Sequence, residues 1–285
     1  WVESGAGVCG RSVHQQRCGH AAGGRSGVTE GRRVVGCGGT VRVAVQTAAA
    51  GAPEGSFDEI SVWVFDLDNT RYPAGCNLFA EVDRRMGSYI AKHLGVPFEQ
   101  ARHLQKSYYR QFGTTLSGLM KVHNLDPHSF LEYVHDIDLT PVTEAPDLAA
   151  AIDALPGRKL IYTNGSRRHA ERVAEKLGVL HLFEDICDIA ACEFVPKPEV
   201  DAFNRMVRRH GVAPAEAAMF EDMPHNLEAP HELGMTTVLV HSEYPDHPAQ
   251  LKIRTWTELP AHVHFATDCL TEFLQRLRAE AELES

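Results

Sequence analysis

The sequence predicts an α/β fold, a three-layer Rossmann-like parallel sheet with an α-helical cap inserted between the first and second core strands. Three observations predict it. From residue 58 onward, short apolar runs alternate with amphipathic helical patterns, as successive βα units require. The first two runs are separated by about 90 residues that hold helical patterns and no convincing strand, far more than a crossover needs. Acidic, hydroxyl and lysine residues recur just after the runs, at the edge where open α/β sheets carry their ligands.

The candidate strands are 61–67 (SVWVFDL), 159–163 (KLIYT), 186–190 (ICDIA), 217–221 (AAMFE), 236–240 (TTVLV) and a late one near 263–266. Between them, residues 167–177 carry Ala170, Val173, Ala174 and Leu177 at helical spacing, with Ser166 as an N-cap and Gly178 as a stop. Residues 198–210 repeat the design: Pro198 suits a first turn, Val200, Phe203 and Val207 form a stripe, and Gly211 ends it. The insertion is placed at 76–145, with helices over 77–94, 98–111, 114–123 and 127–133 separated by Gly95, Gly113 and Pro127. The α/β core is then 58–75 together with 146–285, and the insertion forms a small helical cap over the carboxyl edge of its sheet.

Residues 1–57 differ from the rest. They are rich in Gly, Ala, Ser, Arg and Val, nearly free of aromatic residues and without sustained periodicity, so disorder is expected. Six arginines against three glutamates give this stretch a balance of +3, leaving 22 basic against 35 acidic residues beyond it. An Arg-rich transit peptide lacks its amphipathic helix here. A mis-assigned leader is the favoured expectation: the first methionine is Met86, beyond the acidic DxD pair of the first strand, so initiation is expected upstream of Met86.

Composition narrows the function. An apolar content of 44% supports a proper core, and a net charge of −10 disfavours a nucleic-acid polymer or an anionic membrane as partner. No apolar run approaches the roughly 18 to 20 residues of a membrane span. Seven cysteines (Cys9, Cys18, Cys37, Cys76, Cys187, Cys192 and Cys269), without a CxxC pair, argue against a disulfide framework or zinc knuckle and for a reducing cytoplasm. Sixteen histidines include neither HExxH nor a Cys/His ladder, and His262 with His264 is the closest pair.

Four features carry chemistry. Asp66-Leu67-Asp68-Asn69-Thr70 ends the first strand, whose period of two points Asp66 and Asp68 the same way, an oxygen pair able to hold a hard cation. Such a cluster taken singly is also what a turn or helix cap uses. Thr163-Asn164-Gly165 precedes a capped helix, where hydroxyl, amide and backbone N–H groups cradle an anion. Pro196-Lys197-Pro198 sets a lysine at a helix start, against the dipole, which a bound anion explains and a surface loop does too. Phe220-Glu221-Asp222 closes a strand with adjacent acids, and Asn226 follows; a metal accounts for the pair economically. Together they supply a nucleophile, a hydroxyl, a cation and metal-binding acids on one sheet edge.

In this arrangement the chain resembles the haloacid dehalogenase superfamily, whose four motifs match Asp66-x-Asp68-x-Thr70, Thr163, Lys197 and Glu221-Asp222 in order, over residues 60 to about 275. Within it, Asp66–Pro73 (DLDNTRYP), Gly113–Leu119 (GTTLSGL), Tyr133–Leu139 (YVHDIDL), Thr163–Ser166 (TNGS) and Phe220–Asn226 (FEDMPHN) are similar to the pyrimidine 5′-nucleotidase subfamily. Arg71 departs from the apolar residue, usually leucine, expected in that subfamily.

The resemblance implies that Asp66 attacks phosphorus to form an aspartyl-phosphate, while Asp68 protonates the departing oxygen and later deprotonates water. It implies Mg²⁺ held by Asp66, the Asp68 carbonyl and Asp222, with Glu221 near, and phosphoryl contacts from Thr163, Lys197 and the backbone of Asn164 and Gly165. The expected reaction is hydrolysis of pyrimidine nucleoside 5′-monophosphates such as UMP and CMP. Tyr108, Tyr109, Thr114 and Thr115 are candidates to read the base, although tyrosines in helices are usually core; His123 and His135 are read as structural. A phosphatase for a sugar phosphate or pyridoxal phosphate is the main alternative, and a non-catalytic regulatory module the other. A dehalogenase has no need of an acid at Asp68. The expected partner is a small phosphomonoester, and the expected state a monomer or homodimer.

Overall fold

Six strands, β1 (Val62–Phe65), β2 (Arg158–Tyr162), β3 (Asp185–Cys187), β4 (Ala217–Glu221), β5 (Thr236–Val240) and β6 (Phe265–Thr267), form one parallel sheet in the order β3-β2-β1-β4-β5-β6 in the computed structural model. Residues 57–68, 78–241, 253 and 255–284 are described. The expected leader, residues 1–56, and the segment with Asn69, Thr70 and Arg71 lie outside them. Phe57, expected in the leader, belongs instead to the core: its ring stacks on Trp63 at 5.9 Å and meets Phe265 at 4.8 Å.

Strand alternation builds the two faces. Trp63, Phe65, Ile161, Ile186, Ala218, Phe220, Val238 and Val240 point to one side, where they meet α5 (Pro146–Asp153), α6 (Arg167–Lys176) and α9 (Leu270–Glu284). Val62, Val64, Leu160, Tyr162, Cys187, Ala217, Met219 and Leu239 point to the other, against Phe203 and Met206 of α7 (Val200–His210) and Ala229 of α8 (Glu228–Glu232). Strands buried on both faces explain why the sequence reads as continuous apolar runs rather than alternation. Close strand pairing also constrains one turn: Gly157 sits at φ +76°, and a Cβ there would lie 2.2 Å from the Ser61 carbonyl oxygen, so only glycine fits before β2.

Between β1 and β2 lie four helices, α1 (Leu78–Leu94), α2 (Phe98–Phe112), α3 (Thr115–His123) and α4 (Pro127–Val134). Gln105, which is buried, and Arg102, which is half-buried, both donate from α2 to Asp83 of α1. Gly118 lets α3 approach α2, since a Cβ there would fall 2.4 Å from Tyr108 Cβ. Asp126 caps α4 with Pro127 in its first turn, the arrangement that stops one helix and starts the next.

Two expected boundaries shift, and so does the buried stripe of one helix. The edge strand β3 ends at Cys187 because the Asp188 side chain takes the backbone N–H groups of Arg167 and Ala191, turning the chain away. Helix α7 begins at Val200, so Pro198 precedes the helix instead of occupying its first turn. Its buried stripe is Ala202, Phe203 and Met206, and Val200 is exposed. No helix among the described residues is long and apolar enough to cross a membrane.

Candidate active site

The alternation that orders the core also aims the acids. Val62 and Val64 face α7, so Asp66, two residues on, faces the same way; Ala217 and Met219 do likewise, and carry Glu221 with them. Because β1 and β4 are neighbours in register, Phe65 opposite Phe220, these side chains emerge together at the carboxyl edge. The ladder persists one step beyond the strand, through the Asp66 N–H to the Phe220 carbonyl at 2.8 Å. The loop that leads into α7 crosses that edge and brings Lys197.

Lys197 is 2% exposed, a burial that a lysine tolerates only with partners. Its Nζ donates to Asp66 Oδ1 at 2.6 Å and to the Tyr162 carbonyl at 3.1 Å, and lies 3.2 Å from Glu221 Oε1. The reading of Lys197 as a cation opposed to a helix dipole is therefore replaced by a stronger reason for its place: it is held between two carboxylates, three residues before α7 starts. The Asn164 side chain fixes its backbone from both sides, accepting from Lys197 N–H at 2.8 Å and donating to its carbonyl at 3.1 Å. Asn164, a candidate for phosphoryl contact, thus spends its amide on the lysine loop.

Asp66, Glu221 and Asp222 are all buried, and one carboxylate oxygen of each lies within 4.8 Å of the others. Glu221 accepts from the Asp222 N–H at 2.9 Å and from the Asn226 amide. Burial, and then the charge of Glu221, push the Asp66 carboxyl from 3.8 up to about 7 against the opposing pull of Lys197. Burial works to lower Lys197 as well, but Asp66 and Glu221 outweigh it and hold the ammonium above its ordinary range. Three buried acids thus cluster where one lysine pairs with two of them, and the deficit is met by a proton on Asp66 or by a further cation. An all-oxygen, multiply acidic donor set of this kind suits a hard divalent cation such as Mg²⁺. The buried Asn226 Oδ1, without a protein hydrogen-bond partner, adds an acceptor beside the cluster.

On the other face, Thr163 is fully buried after β2 and its Oγ1 accepts from the Gly165 N–H at 2.9 Å, tightening the turn into α6. Ser166 caps that helix through the His169 N–H. His169, absent from the sequence-based candidates, sets its Nε2 3.2 Å from Asp68 Oδ1. Its ring stacks on His135 at 4.4 Å and 13°, and His135 Nδ1 lies 3.0 Å from Ser166 Oγ. Burial, then the neighbouring His169, push the His135 pKa down to about 3, so this ring is neutral.

The helical insertion divides its candidates. Tyr108 is buried, and its hydroxyl pairs with His123 Nε2 at 2.6 Å, inside the helix packing. Thr115 is buried and donates to the Gln105 carbonyl, while Thr114 caps α3. Tyr109 is the exposed one, and the partial burial of its phenol together with the charges of Asp222 and Glu221 raises its pKa. Of the four, Tyr109 is the side chain that addresses the acids.

Phosphate metabolism protein 8 of Saccharomyces cerevisiae is 28% identical over 196 residues, 62% of this chain; the match spans 60% of the yeast protein's length. Among solved structures, a HAD phosphatase from Thermococcus onnurineus superposes with a TM-score of 0.50 at 18% identity, covering 76% of this chain and 98% of that one. An L-2-haloacid dehalogenase superposes equally, with a TM-score of 0.50 at 14% identity over 76% of this chain and 99% of that one. Two such neighbours share a fold and leave the chemistry to the site. The family model described as haloacid dehalogenase-like hydrolase matches residues 60–234, and the chain belongs to that family.

Proposed function

We propose that the protein is a metal-dependent phosphomonoesterase that attacks phosphorus with Asp66. The observation that carries the reading is the buried group of Asp66, Glu221 and Asp222 served by Lys197, beside an acid at position 68. A phosphate dianion entering this pocket needs more positive charge than one lysine, and an ester oxygen leaving it needs a proton. Mg²⁺ held by Asp66, the Asp68 carbonyl and Asp222, with Glu221 beside it, would supply Lewis-acid charge neutralisation.

The chain's own groups divide the remaining work. An ionised Asp66 oxygen forms the bond to phosphorus as the ester oxygen departs, and the Asp68 carboxyl gives that oxygen its proton. Lys197 and the Thr163 hydroxyl stabilise charge on the phosphoryl oxygens. Asp68, now ionised, takes a proton from the water that cleaves the aspartyl-phosphate, which returns Asp66 and releases phosphate. The helical insertion over 76–145 acts as a cap that reads the rest of the ester, with Tyr109 as its contact near the acids.

Pyrimidine nucleoside 5′-monophosphates are the proposed substrates, on the strength of the TNGS, YVHDIDL and FEDMPHN strings; the yeast relative's name ties that protein to phosphate metabolism. Free thiols at Cys187, Cys192 and Cys269 fit a cytoplasmic setting. The test is phosphate release from UMP, CMP, other nucleotides, sugar phosphates and pyridoxal phosphate with Mg²⁺, alongside Asp66→Asn. Asp66→Asn should abolish release. Activity that persists without deamidation back to Asp removes Asp66 as nucleophile, and poor turnover of UMP and CMP relative to other esters moves the substrate while sparing the reaction.

A further inference from the structure

We propose that His169 is the positioning residue for the Asp68 carboxyl, donating Nε2–H to Oδ1 so that the travelling proton is carried on Oδ2. The inference deepens the phosphomonoesterase reading and rests on it. Asp68 stands beyond the end of β1, and its side chain is 30% exposed. General acid catalysis demands a defined direction of proton delivery, and a carboxyl on a turn gains that direction from a hydrogen bond to a rigid neighbour.

His169 meets that requirement from a rigid place. It lies in the first turn of α6, a helix anchored by Ala170, Val173 and Ala174 in the core, and its ring is almost wholly buried. Nδ1 is buried without a hydrogen-bond partner, whereas Nε2 faces a carboxylate. A proton on Nδ1 would be an orphaned donor, so the proton resides on Nε2 and points at Asp68. His135 then fixes the plane of the ring by stacking, and is itself held by Ser166 Oγ and by Arg172, which donates to its carbonyl at 3.1 Å. A histidine that merely filled space would need neither the carboxylate nor a braced stacking partner.

The experiment compares His169→Met, which keeps bulk and loses the donor, with His169→Gln, whose amide reaches the place of Nε2. The readout is kcat/KM, which reports steps up to departure of the leaving group, on p-nitrophenyl phosphate and on an alkyl ester that the wild type hydrolyses. The nitrophenolate leaves without a proton; the alkoxide does not. The Met variant should lose roughly 30- to 100-fold on the alkyl ester and under about threefold on p-nitrophenyl phosphate, less than the roughly 100- to 10,000-fold that a whole general acid contributes because Asp68 itself remains. The Gln variant should recover most of the loss. Equal losses on both esters, no loss, or a Gln variant no better than Met overturn the proposal. If the Met variant does not fold, His169→Asn, whose amide is too short, replaces it in the same comparison. A wild type that hydrolyses neither ester overturns the phosphomonoesterase reading itself, and is thereby told apart from a failure of His169.

Discussion

Replacing Lys197 by alanine removes the positive charge that Asp66 and Glu221 share. At an effective dielectric of about 20, one unit charge about 4 Å from another is worth about 4 kcal/mol, and the ammonium lies closer than that to both carboxylates. Much of that attraction already exists before substrate binds. The part realised only as charge develops on the phosphoryl oxygens is comparable to one oxyanion-hole donor, about 2 to 4 kcal/mol, or roughly 30- to 1,000-fold in turnover. The fold should survive, because Asp66, released from the lysine that lowers it, takes up a proton more readily and relieves the buried repulsion. The assay is kcat for Mg²⁺-dependent phosphate release at saturating ester, with circular dichroism to confirm folding. A folded Lys197→Ala protein that keeps more than a tenth of wild-type turnover would refute the role of Lys197 in the transition state.

Three further outcomes follow from the same geometry. Asp66 is raised in the folded protein, so its ionisation opposes folding: the penalty is absent below about pH 3.8, grows through the interval and is complete above about pH 7, reaching roughly 4 kcal/mol. Metal-free Asp66→Asn should therefore gain stability over metal-free wild type as pH rises across that window in urea titrations, and a pH-independent difference would contradict it. A divalent cation must displace the Asp66 proton, so Mg²⁺ affinity measured calorimetrically should weaken by up to about tenfold per pH unit below about 7, and EDTA should abolish turnover; affinity flat between pH 5 and 8 would count against Asp66 as a ligand. Asn164→Ala should cost about 1 to 3 kcal/mol in stability by orphaning the Lys197 backbone groups, and should lower kcat more than it raises KM; unchanged kcat would show that Lys197 holds its place without the clamp.

Much of this is legible in the sequence, for reasons that lie in particular residues. Two-sided burial writes a parallel strand as an apolar run, and the polar residues that end such runs at Asp66, Thr163 and Glu221 stand out against it. Ser166, Gly178 and Gly211 mark helix ends by backbone chemistry that tertiary contacts rarely override. Tyr108 and Tyr109 show where such reading stops. Adjacent residues on a helix point about 100° apart, and the sequence names no partner for either; the small Gly118, which receives Tyr108, is distant in sequence. His169 was hidden among sixteen histidines. A usable signal existed: it immediately precedes Ala170 in a helix whose stripe is otherwise small and apolar, so a polar ring on that buried face had to find a polar partner. Pro198 has the chemistry of a first-turn residue, yet Glu199 takes the cap position and α7 starts after it.

The pairing of β1 with β4 has a bearing on how such a protein can change. Asp66 and Glu221 share a lysine because Phe65 lies opposite Phe220 and Val64 opposite Met219. A slip of one residue between these strands would turn one acid toward the α6 side and leave the other with Lys197 to itself. Strand register thus sets the geometry of the proposed site, through the volumes of side chains one and two positions below the acids. A core substitution at Phe65, Met219 or Phe220 that shifts register by a fraction of a residue would register first in turnover and only later in melting temperature, so activity is the more sensitive gauge of packing in the middle of this sheet.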